Sequence, residues 1–458
     1  MIENDAFKLL LINLFHLNPD DIANILCTTF NKMMVLVVTL TDKHQACPYC
    51  GFTAPKIKEY VTKEITHSAL TTQKCIIKYR ARRYKCSCCG KTYYEFNPFV
   101  FKSQKISILT VHNILKDLKD FNETFTSVAR RYHVSPTSVS TIFDKHVDIG
   151  RNPLPEIINF DEVYAFKSEK SKYVCVLLDF KKQIPVDVLP NRKKEYLLNY
   201  FQKIPLEERK KVKYACSDMY EVYRDVVHKV FPSCCMLLDY FHLSQDFHRK
   251  MNEVRIKVMK RYKDNKASDE YYLLKKFNWL LFKNPEDEDK YGRLFDVERE
   301  RKYNSHFKSY MNYYDLRRKL LEINNDLTIC YSLKLELVDF YSKSTIDNAQ
   351  VNLEHLIRSC IDTNIEEMIA FSNNLINWKQ EIINSFTIVG TEYKVEADKG
   401  QVVVCNKKVN NAIIENRNKI IKCIKNNANG YTNWSRFRNR VMYVLDPNTT
   451  FSLEPREK

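Results

Sequence analysis

The sequence predicts an α/β protein in which one mixed β-sheet, with helices on both faces, is interrupted by a long all-helical insertion. From Glu156 onward, short apolar runs with the two-residue period of strands alternate with helical segments. Between Leu243 and about Ser385, charged and aromatic residues recur with helical spacing instead. Two pairs of closely spaced cysteines earlier in the chain predict a small metal-binding module ahead of the sheet.

Composition and charge favour a polyanionic partner. The 458 residues include 73 Lys and Arg against 56 Asp and Glu, which gives a net charge of +17. An excess of this size favours nucleic acid and makes binding depend on salt. A basic protein without such a partner is the alternative. The length alone predicts about three domains.

The 15 cysteines do not indicate an extracellular disulfide framework. Glu3 and Asp5 precede the apolar run Leu9–Ile12, so the N-terminus lacks the basic leader of a signal peptide. No apolar run approaches the roughly 20 residues of a membrane span. We therefore expect a reducing cytoplasm and no membrane contact, and in that compartment paired cysteines indicate metal ligands.

Residues 1–40 are predicted to form a helical segment. Two short apolar stretches flank Leu17–Asp20, and Asp20 or Asp21 is placed to cap a helix that continues through Ile25.

Residues 41–102 are predicted to form a zinc-binding module. Each of two Cys-x-x-Cys pairs is followed by glycine, and the four predicted ligands are Cys47, Cys50, Cys86 and Cys89. Four thiolates suit tetrahedral zinc, and such a closed site stabilises a fold without doing chemistry. The long separation between the pairs leaves room for a hairpin. Free thiols are the alternative.

Helical periodicity in three pieces predicts a helix-turn-helix domain at residues 103–150. The third helix is expected to start at Pro136, with Ser135 as its N-cap. Its exposed side chains are predicted to face DNA, and two arginines of the second helix to contact phosphates. These residues are Thr137, Ser138, Thr141 and Lys145, and Arg130 and Arg131. An ordinary three-helix bundle is the alternative.

After a linker at 151–155, residues 156–242 are predicted to form the first part of the sheet domain. The order is β-β-β-α-β-α-β-α, which is that of the ribonuclease H-like fold. Asp161 lies inside the apolar strand Ile157–Phe166, where an unpaired carboxylate is costly to bury, so we expect it to hold a metal. Asp218 ends a later strand. The two strands can lie side by side, which would place both carboxylates at one end of the sheet.

Residues 243–385 are predicted to form the helical insertion, which would pack on the sheet and present Lys and Arg to DNA. The basic run Lys257–Lys263 is equally well explained as a solvated face. Residues 386–445 are expected to complete the sheet domain, with a hairpin that turns at Asp398–Gly400 and a helix Asn410–Ile424 that carries Glu415. Residues 446–458 form a polar tail.

Two or three carboxylates on a ribonuclease H-like sheet predict a site for two Mg²⁺ or Mn²⁺ ions. Hard divalent ions prefer oxygen ligands. One ion would activate a water or a DNA 3′-hydroxyl, and the other would stabilise the leaving oxygen of an in-line displacement at phosphorus. Rival acids near the strands are Glu162, Asp179, Asp187 and Asp239, and Glu162 is expected to point to the face opposite Asp161.

Several motifs carry a family resemblance. They are Asn159–Lys167, Tyr173–Asp179, Asn191–Arg192, Ser217–Tyr220 with Tyr223, Leu238–His242, and later Asn411, Glu415, Asn418, Ile421, Lys422 and Gly430–Tyr431. In this order they resemble bacterial insertion-sequence transposases of the ISL-three family, which belong to the DDE class. The resemblance covers most of the chain, from the cysteine pairs to the tail.

This resemblance implies the identity of the metal-binding and catalytic triad, which would be Asp161, Asp218 and Glu415. It also implies an enzyme that binds the terminal inverted repeats of its element as double-stranded DNA, cuts them, and joins the ends to target DNA. Such an enzyme would act in the bacterial cytoplasm at the nucleoid and would self-associate when two ends are synapsed. His242 would have a positional role.

Two other functions stay open from the residues alone. One is a non-catalytic DNA-binding regulator with the same zinc module and helix-turn-helix. The other is a nuclease of the same fold that cuts DNA without joining it.

Overall fold

The structure, a computed structural model, describes residues 2–43, 45–53, 55–101, 104–167, 171–395 and 402–456. Over these residues the chain forms a mixed α/β protein, with two five-stranded sheets, three two-stranded ribbons and helices between them. The predicted turn Asp398–Gly400 lies outside the described residues.

The N-terminal part contains one helix and five strands: α1 (Ile2–Leu14), β1 (Ile22–Phe30), β2 (Met33–Leu40), β3 (Lys56–Thr66), β4 (Cys75–Lys85) and β5 (Thr92–Tyr94). The sheet order is β1-β2-β4-β3, and β5 pairs with the end of β4. β2 runs parallel to β4, and the other pairs are antiparallel. Leu11 and Ile12 of α1, and Phe15 directly after it, are buried against one face of this sheet.

The predicted helix through Ile25 is wrong, because residues 22–40 form the hairpin β1–β2. Asn18 caps one turn of 3₁₀-helix that ends at Asp21, and the strand begins at the next residue. Asn31 and Lys32 between the strands both have positive φ, 49° and 58°, as a tight two-residue hairpin turn requires. Pairing with β4 across the sheet decides the structure of these residues, and local capping signals do not reveal that pairing.

The next three helices are α2 (Ile108–Asp117), α3 (Phe125–Arg131) and α4 (Pro136–His146). As predicted, the Ser135 side chain accepts a hydrogen bond from the Ser138 backbone and Pro136 starts α4. Val128, Val139 and Phe143 are buried in the core of this bundle.

The second sheet contains the strands and short helices between residues 157 and 238: β6 (Ile157–Val163), β7 (Val174–Asp179), β8 (Pro185–Leu189), α5 (Lys194–Gln202), α6 (Leu206–Arg209), β9 (Tyr214–Ser217), α7 (Glu221–Val230) and β10 (Cys235–Leu238). The strand order is β10-β9-β6-β7-β8. β7 is antiparallel to both its neighbours, whereas β6, β9 and β10 are parallel. Helices α5 and α7 pack on one face through Phe201, Tyr223 and Val227.

Most of the following segment is helical: α8 (Tyr240–Lys260), α9 (Asp269–Lys276), α10 (Tyr313–Glu322), α11 (Asn325–Lys343), α12 (Ala349–Asp362), α13 (Glu366–Asn377) and α14 (Lys379–Asn384). The prediction of an all-helical insertion is wrong between residues 288 and 311. There the chain forms two short ribbons, β11 (Glu288–Asp289) with β12 (Gly292–Arg293), and β13 (Lys302–Asn304) with β14 (Ser309–Met311). Gly292 and Lys308 adopt positive φ at these reversals, which breaks the helical repeat.

The last elements return to the second sheet: β15 (Ile388–Val395), β16 (Val402–Lys408), α15 (Ala412–Asn427) and α16 (Trp434–Leu445). β15 and β16 form the predicted hairpin. Helices α15 and α16 cover the sheet face opposite α5 and α7, through Ile414, Ile421 and Val441. In the described part of the chain, no helix has both the length and the apolar character needed to cross a membrane.

Candidate active site and zinc centre

Acidic residues meet at one edge of the second sheet because three parallel strands end there. Asn159 of β6 lies beside Cys216 of β9, so Asp161 and Asp218, each two residues further on, extend to the same edge. Leu238 of β10 pairs with Ser217 of β9, and Asp239 follows it directly. Parallel strands therefore place Asp161, Asp218 and Asp239 at neighbouring positions.

Helix α15 brings Glu415 to this edge from the far end of the sequence. The nearest oxygen or ring-nitrogen atoms of Glu415, Asp239 and His242 all lie within 4.8 Å of one another, a spacing that can hold a metal ion. The Glu415 carboxylate also acts electrostatically on Asp161. The charges of Asp218 and Glu415 both act on Asp161, whereas the residues that lie closest to Glu415 are Asp239 and His242.

Asparagines tie the start of α15 to the strands. Asn418 Nδ2 donates to Asp161 Oδ2 at 2.7 Å, and the Asn411 backbone donates to Asp239 Oδ1 at 3.2 Å. Asn159 Nδ2 donates to Asn411 Oδ1 at 2.7 Å. These bonds hold the helix that carries Glu415 against β6 and β10.

The crowding of carboxylates changes their acidity. Burial, helped by the charge of Asp218, raises the pKa of Asp161 to about 7. Burial also raises the pKa of Asp218, although His242 and Arg192 act in the opposite direction. Without a counter-charge, two ionised carboxylates at this edge repel each other, and a divalent cation would remove that cost.

The oxygen atoms at this edge fit a hard divalent ion. Asp218 Oδ1 and Asn418 Oδ1 are buried, and neither has a hydrogen-bond partner among the described residues. Buried polar atoms are normally satisfied, so an orphan carboxylate oxygen and an orphan amide oxygen at an acidic edge indicate a place for a ligand. Oxygen donors of these two kinds are those that Mg²⁺ and Mn²⁺ take.

His242 forms an ion pair with Asp239 at the edge of the acidic cluster. Its Nδ1 lies 2.9 Å from Asp239 Oδ2. Burial opposes protonation of the ring, but the bond to Asp239 and the neighbouring carboxylates together raise the pKa of His242. From the sequence, Asp239 was only a rival acid. The signal that could have found it is the repeated pattern of a short parallel strand that ends directly in aspartate, at Ser217-Asp218 and at Leu238-Asp239.

The other rival acids have structural partners. Glu162 pairs with Arg192 and accepts a hydrogen bond from the Tyr223 hydroxyl at 3.3 Å. Asp187 accepts from the Tyr200 hydroxyl at 2.7 Å and pairs with Arg438. Asp179 Oδ1 accepts two backbone N–H groups of the turn that follows β7.

The four predicted cysteine ligands form one compact cluster in the N-terminal part. Cys47 Sγ lies 3.7 Å from Cys89 Sγ, and Cys50 Sγ lies 3.5 Å from Cys86 Sγ. A tetrahedral zinc ion with Zn–S bonds of about 2.3 Å separates its sulfur ligands by about 3.8 Å. The geometry of the cluster therefore suits zinc.

Two glycines close the turns that carry these cysteines. Gly51 and Gly90 have φ of 75° and 71°, and each donates its N–H to the carbonyl of the first cysteine in its pair. A residue with a β-carbon would strain this left-handed conformation.

The predicted DNA-facing residues lie on the helices α3 and α4. Arg130, Thr137 and Thr141 are exposed, whereas Ser138 and Lys145 are half-buried. Arg131 differs from the prediction, because its guanidinium pairs with both Asp117 and Glu123. Two carboxylates outweigh its single charge, so it braces α3 against α2 and is not free to contact a phosphate.

Comparison with known proteins agrees with this arrangement. A family model described as a transposase, of the DDE class and the ISL3 type, matches residues 158–397, which is just over half of the chain. The match includes Asp161 and Asp218 and ends before Glu415. The chain is 20% identical over 411 residues to the transposase for insertion sequence element IS1001 of Bordetella parapertussis, with 89% of this chain and 90% of that protein covered. The matched region covers more than half of the chain and contains Asp161, Asp218 and Asp239, and the chain therefore belongs to the ISL3 family of DDE transposases.

Proposed function

We propose that this transposase binds the terminal inverted repeats of an insertion sequence and catalyses metal-dependent DNA cleavage followed by strand transfer. The observation that supports the proposal is that the charges of Asp218 and Glu415 both act on Asp161, whose pKa burial and these charges raise to about 7. Carboxylates gathered in this way are costly unless a cation is shared between them.

The sheet topology supports a ribonuclease H-like catalytic domain. Numbered within the domain, the strand order is 5-4-1-2-3, with the second strand antiparallel to the other four. This is the order that the fold predicts. We therefore assign residues 156–242 and 386–445 to one catalytic domain, residues 243–385 to an insertion, and residues 446–458 to a tail. Glu415 would then be returned to the sheet by the last part of the domain.

When bound, two Mg²⁺ or Mn²⁺ ions would activate the attacking hydroxyl or water and stabilise the leaving oxygen. Asp161, Asp218 and Glu415 would hold them through carboxylate oxygens. Asn418 Nδ2 donates to Asp161 Oδ2 at 2.7 Å, and the Glu162 backbone N–H donates to Asp161 Oδ1 at 2.7 Å, so two hydrogen bonds fix the orientation of this carboxylate. The ion pair of His242 with Asp239 borders the same space, so Asp239 is a further candidate ligand.

The N-terminal parts would bind DNA and would not take part in the chemistry. The cluster Cys47, Cys50, Cys86 and Cys89 would hold a structural zinc ion in residues 41–102. The helix-turn-helix at 103–150 would contact double-stranded DNA through Arg130, Thr137, Ser138, Thr141 and Lys145. The net charge of +17 supports a negatively charged partner such as DNA.

The proposal is tested with purified protein, Mg²⁺ or Mn²⁺, and DNA that carries the ends of the element. We expect strand transfer by the natural protein and a loss of at least about 1,000-fold for Asp218→Asn, with unchanged binding to the ends. Asp179→Asn is the matched control, because Asp179 lies on the same sheet but only caps a turn. It should retain activity.

Each alternative function has its own outcome in this assay. Cleavage without joining would identify a nuclease, and binding without any metal-dependent cleavage would identify a regulator. Strand transfer by Asp218→Asn at the natural rate would refute the triad.

A further inference from the structure

The N-terminal sheet has two edges of opposite character. The edge strand β3 contains five charged residues, namely Lys56, Lys58, Glu59, Lys63 and Glu64. The other edge strand, β1, contains none, and neither does β2 beside it. Charges on an edge strand are a common protection against pairing with another chain. β3 has this protection and β1 lacks it.

Apolar side chains extend from β1 onto both sides of this edge. On one face Leu26 is 56% exposed, and its cross-strand partner Val37 is 43% exposed. Phe30, two strand repeats further along the same face, is 64% exposed. On the other face, α1 exposes Phe7, Leu10 and Leu14, which lie on one stripe of the helix.

These six side chains, three on each side of the edge, together expose roughly 600 Å² of mostly apolar surface per chain. The exposed polar residues of β1 bring the surface to roughly 800 Å², the area that each partner buries in a stable protein complex of standard size. The residues from Asn24 to Phe30 pair regularly with β2, because the one irregularity lies at the start of the strand. The edge is therefore straight enough to accept another strand.

The chemistry of this surface selects its occupant. DNA needs cations, and Lys32 in the hairpin turn is the one charged residue between Ile22 and Leu40. A second copy of the chain has the same uncharged edge strand. Pairing of the two edges therefore brings no charged residue of β1 from one copy against one from the other, although each chain has a net charge of +17. Antiparallel pairing of two identical strands is also self-complementary under a two-fold axis.

We propose that two copies of this chain associate through their β1 strands, which pair antiparallel about Leu26, the middle residue of the strand. The two sheets then become one continuous sheet. A two-fold axis perpendicular to it leaves both α1 helices on the same face, where the stripes of Phe7, Leu10 and Leu14 can contact each other. This surface lies outside the candidate active site, and the inference does not depend on the catalytic assignment.

The test is sedimentation equilibrium of the full chain without DNA, at a salt concentration that suppresses charge effects. We expect a mass of twice 54.5 kDa for the natural protein and a single 54.5 kDa chain for Leu26→Lys. A lysine desolvated at the centre of the edge should weaken association by at least about 100-fold. Val351→Lys is the matched control, because Val351 is an exposed apolar residue of α12, 68% exposed, far along the chain from β1. It should remain a dimer.

A rescue experiment separates loss of the contact from misfolding. Leu26→Lys and Leu26→Glu should each be monomeric, and an equimolar mixture should form a dimer, because opposite charges then face each other across the axis. Circular dichroism and zinc content should match the natural protein. A natural protein that is monomeric without DNA, or a Leu26→Lys variant with an unchanged dissociation constant, would overturn the proposal.

Discussion

Asn418 is an uncharged residue that contacts one of the acids of the candidate active site. Its amide donates to Asp161 across 257 positions of sequence, while its carbonyl oxygen is buried without a partner among the described residues. A side chain that donates to one ligand and offers an oxygen to the same space can orient the ligand and contact the ion. Asn418 belongs to one of the motifs that carry the family resemblance, but only the structure shows its hydrogen bond to Asp161.

We predict that Asn418→Ala lowers the apparent affinity for Mg²⁺ by about 10-fold to 100-fold, because Asp161 loses one of the two hydrogen bonds that orient it. The measurement is strand transfer as a function of Mg²⁺ concentration. Asn416→Ala, an exposed position of the same helix, serves as the control and should behave as the natural protein. An unchanged Mg²⁺ dependence for Asn418→Ala would show that Asp161 is held by other contacts.

At the scale of single elements, capping residues determine where the helices begin. Ser135, Ser107 and Thr124 each accept a backbone N–H at the start of their helix. The sequence predicted the start of α4 correctly because Ser135 and Pro136 act locally. At Asp20 and Asp21 the same kind of capping signal gave a wrong prediction, because strand pairing determines the structure of the residues that follow.

We expect Ser135→Ala to lower the free energy of unfolding by about 1 kcal/mol, because the Ser138 N–H loses its acceptor. Urea denaturation measures this loss. Ser140→Ala is the comparison, since the Ser140 hydroxyl lies within the same helix and donates only to the Thr137 carbonyl. Equal stabilities of the two variants would argue against a capping role.

The zinc cluster gives a second prediction at this scale. Cys86→Ser should abolish zinc binding and unfold the N-terminal sheet, because a four-thiolate site contributes its binding energy to folding. Cys88→Ser removes an exposed thiol next to the cluster and should retain one zinc per chain. Metal analysis of the purified variants and circular dichroism provide the readouts. Full zinc occupancy in Cys86→Ser would contradict the ligand assignment.

For the whole molecule, buried polar contacts join regions that are far apart in sequence. Arg440 of α16 is almost fully buried and donates to the carbonyls of Asp120 and Glu123 in the segment between α2 and α3. His67 joins the N-terminal helix to the start of α2, with Nε2 donating to the Phe15 carbonyl at 2.8 Å and Nδ1 accepting from Ser107 Oγ at 2.9 Å. The N-terminal part, the helices α2–α4 and the last helix over the second sheet are therefore joined by buried contacts.

His67 predicts how stability depends on pH. Burial lowers the pKa of His67 in the folded protein, against the opposing bond to Phe15. At low pH the unfolded chain therefore binds more protons than the folded protein does. The contribution of neutral His67 to stability is complete above an unfolded pKa of about 6.5 and is lost as the pH falls through the folded pKa. The melting temperature should be lower at about pH 5.5 than at about pH 7.5. The difference should be smaller for His67→Gln, because glutamine does not titrate. Equal falls would exclude His67 as the cause.

Much of the local structure and the identity of the chemistry could be predicted from the sequence. The cysteine pairs, the three helices after residue 103 and the order of strands after residue 156 depend on neighbours within a few positions. The structure confirms these elements, and the family resemblance is confirmed by comparison with known proteins. The hairpin β1–β2 and the ribbons at 288–311 could not be predicted, because strand pairing decides them.

By itself, the sequence determined which residues are chemically able to bind metal ions and DNA, and where most helices and strands begin. Only the tertiary structure decided which of the acids meet. Asp239 lies beside Glu415 in the acidic cluster. Glu162 pairs with Arg192 instead, and Asp187 pairs with Arg438. Arg131 is paired with two carboxylates. The physical reason is range: periodicity and capping act over a turn of helix or a strand, whereas the electrostatic environment of a carboxylate depends on side chains brought beside it from anywhere in the chain.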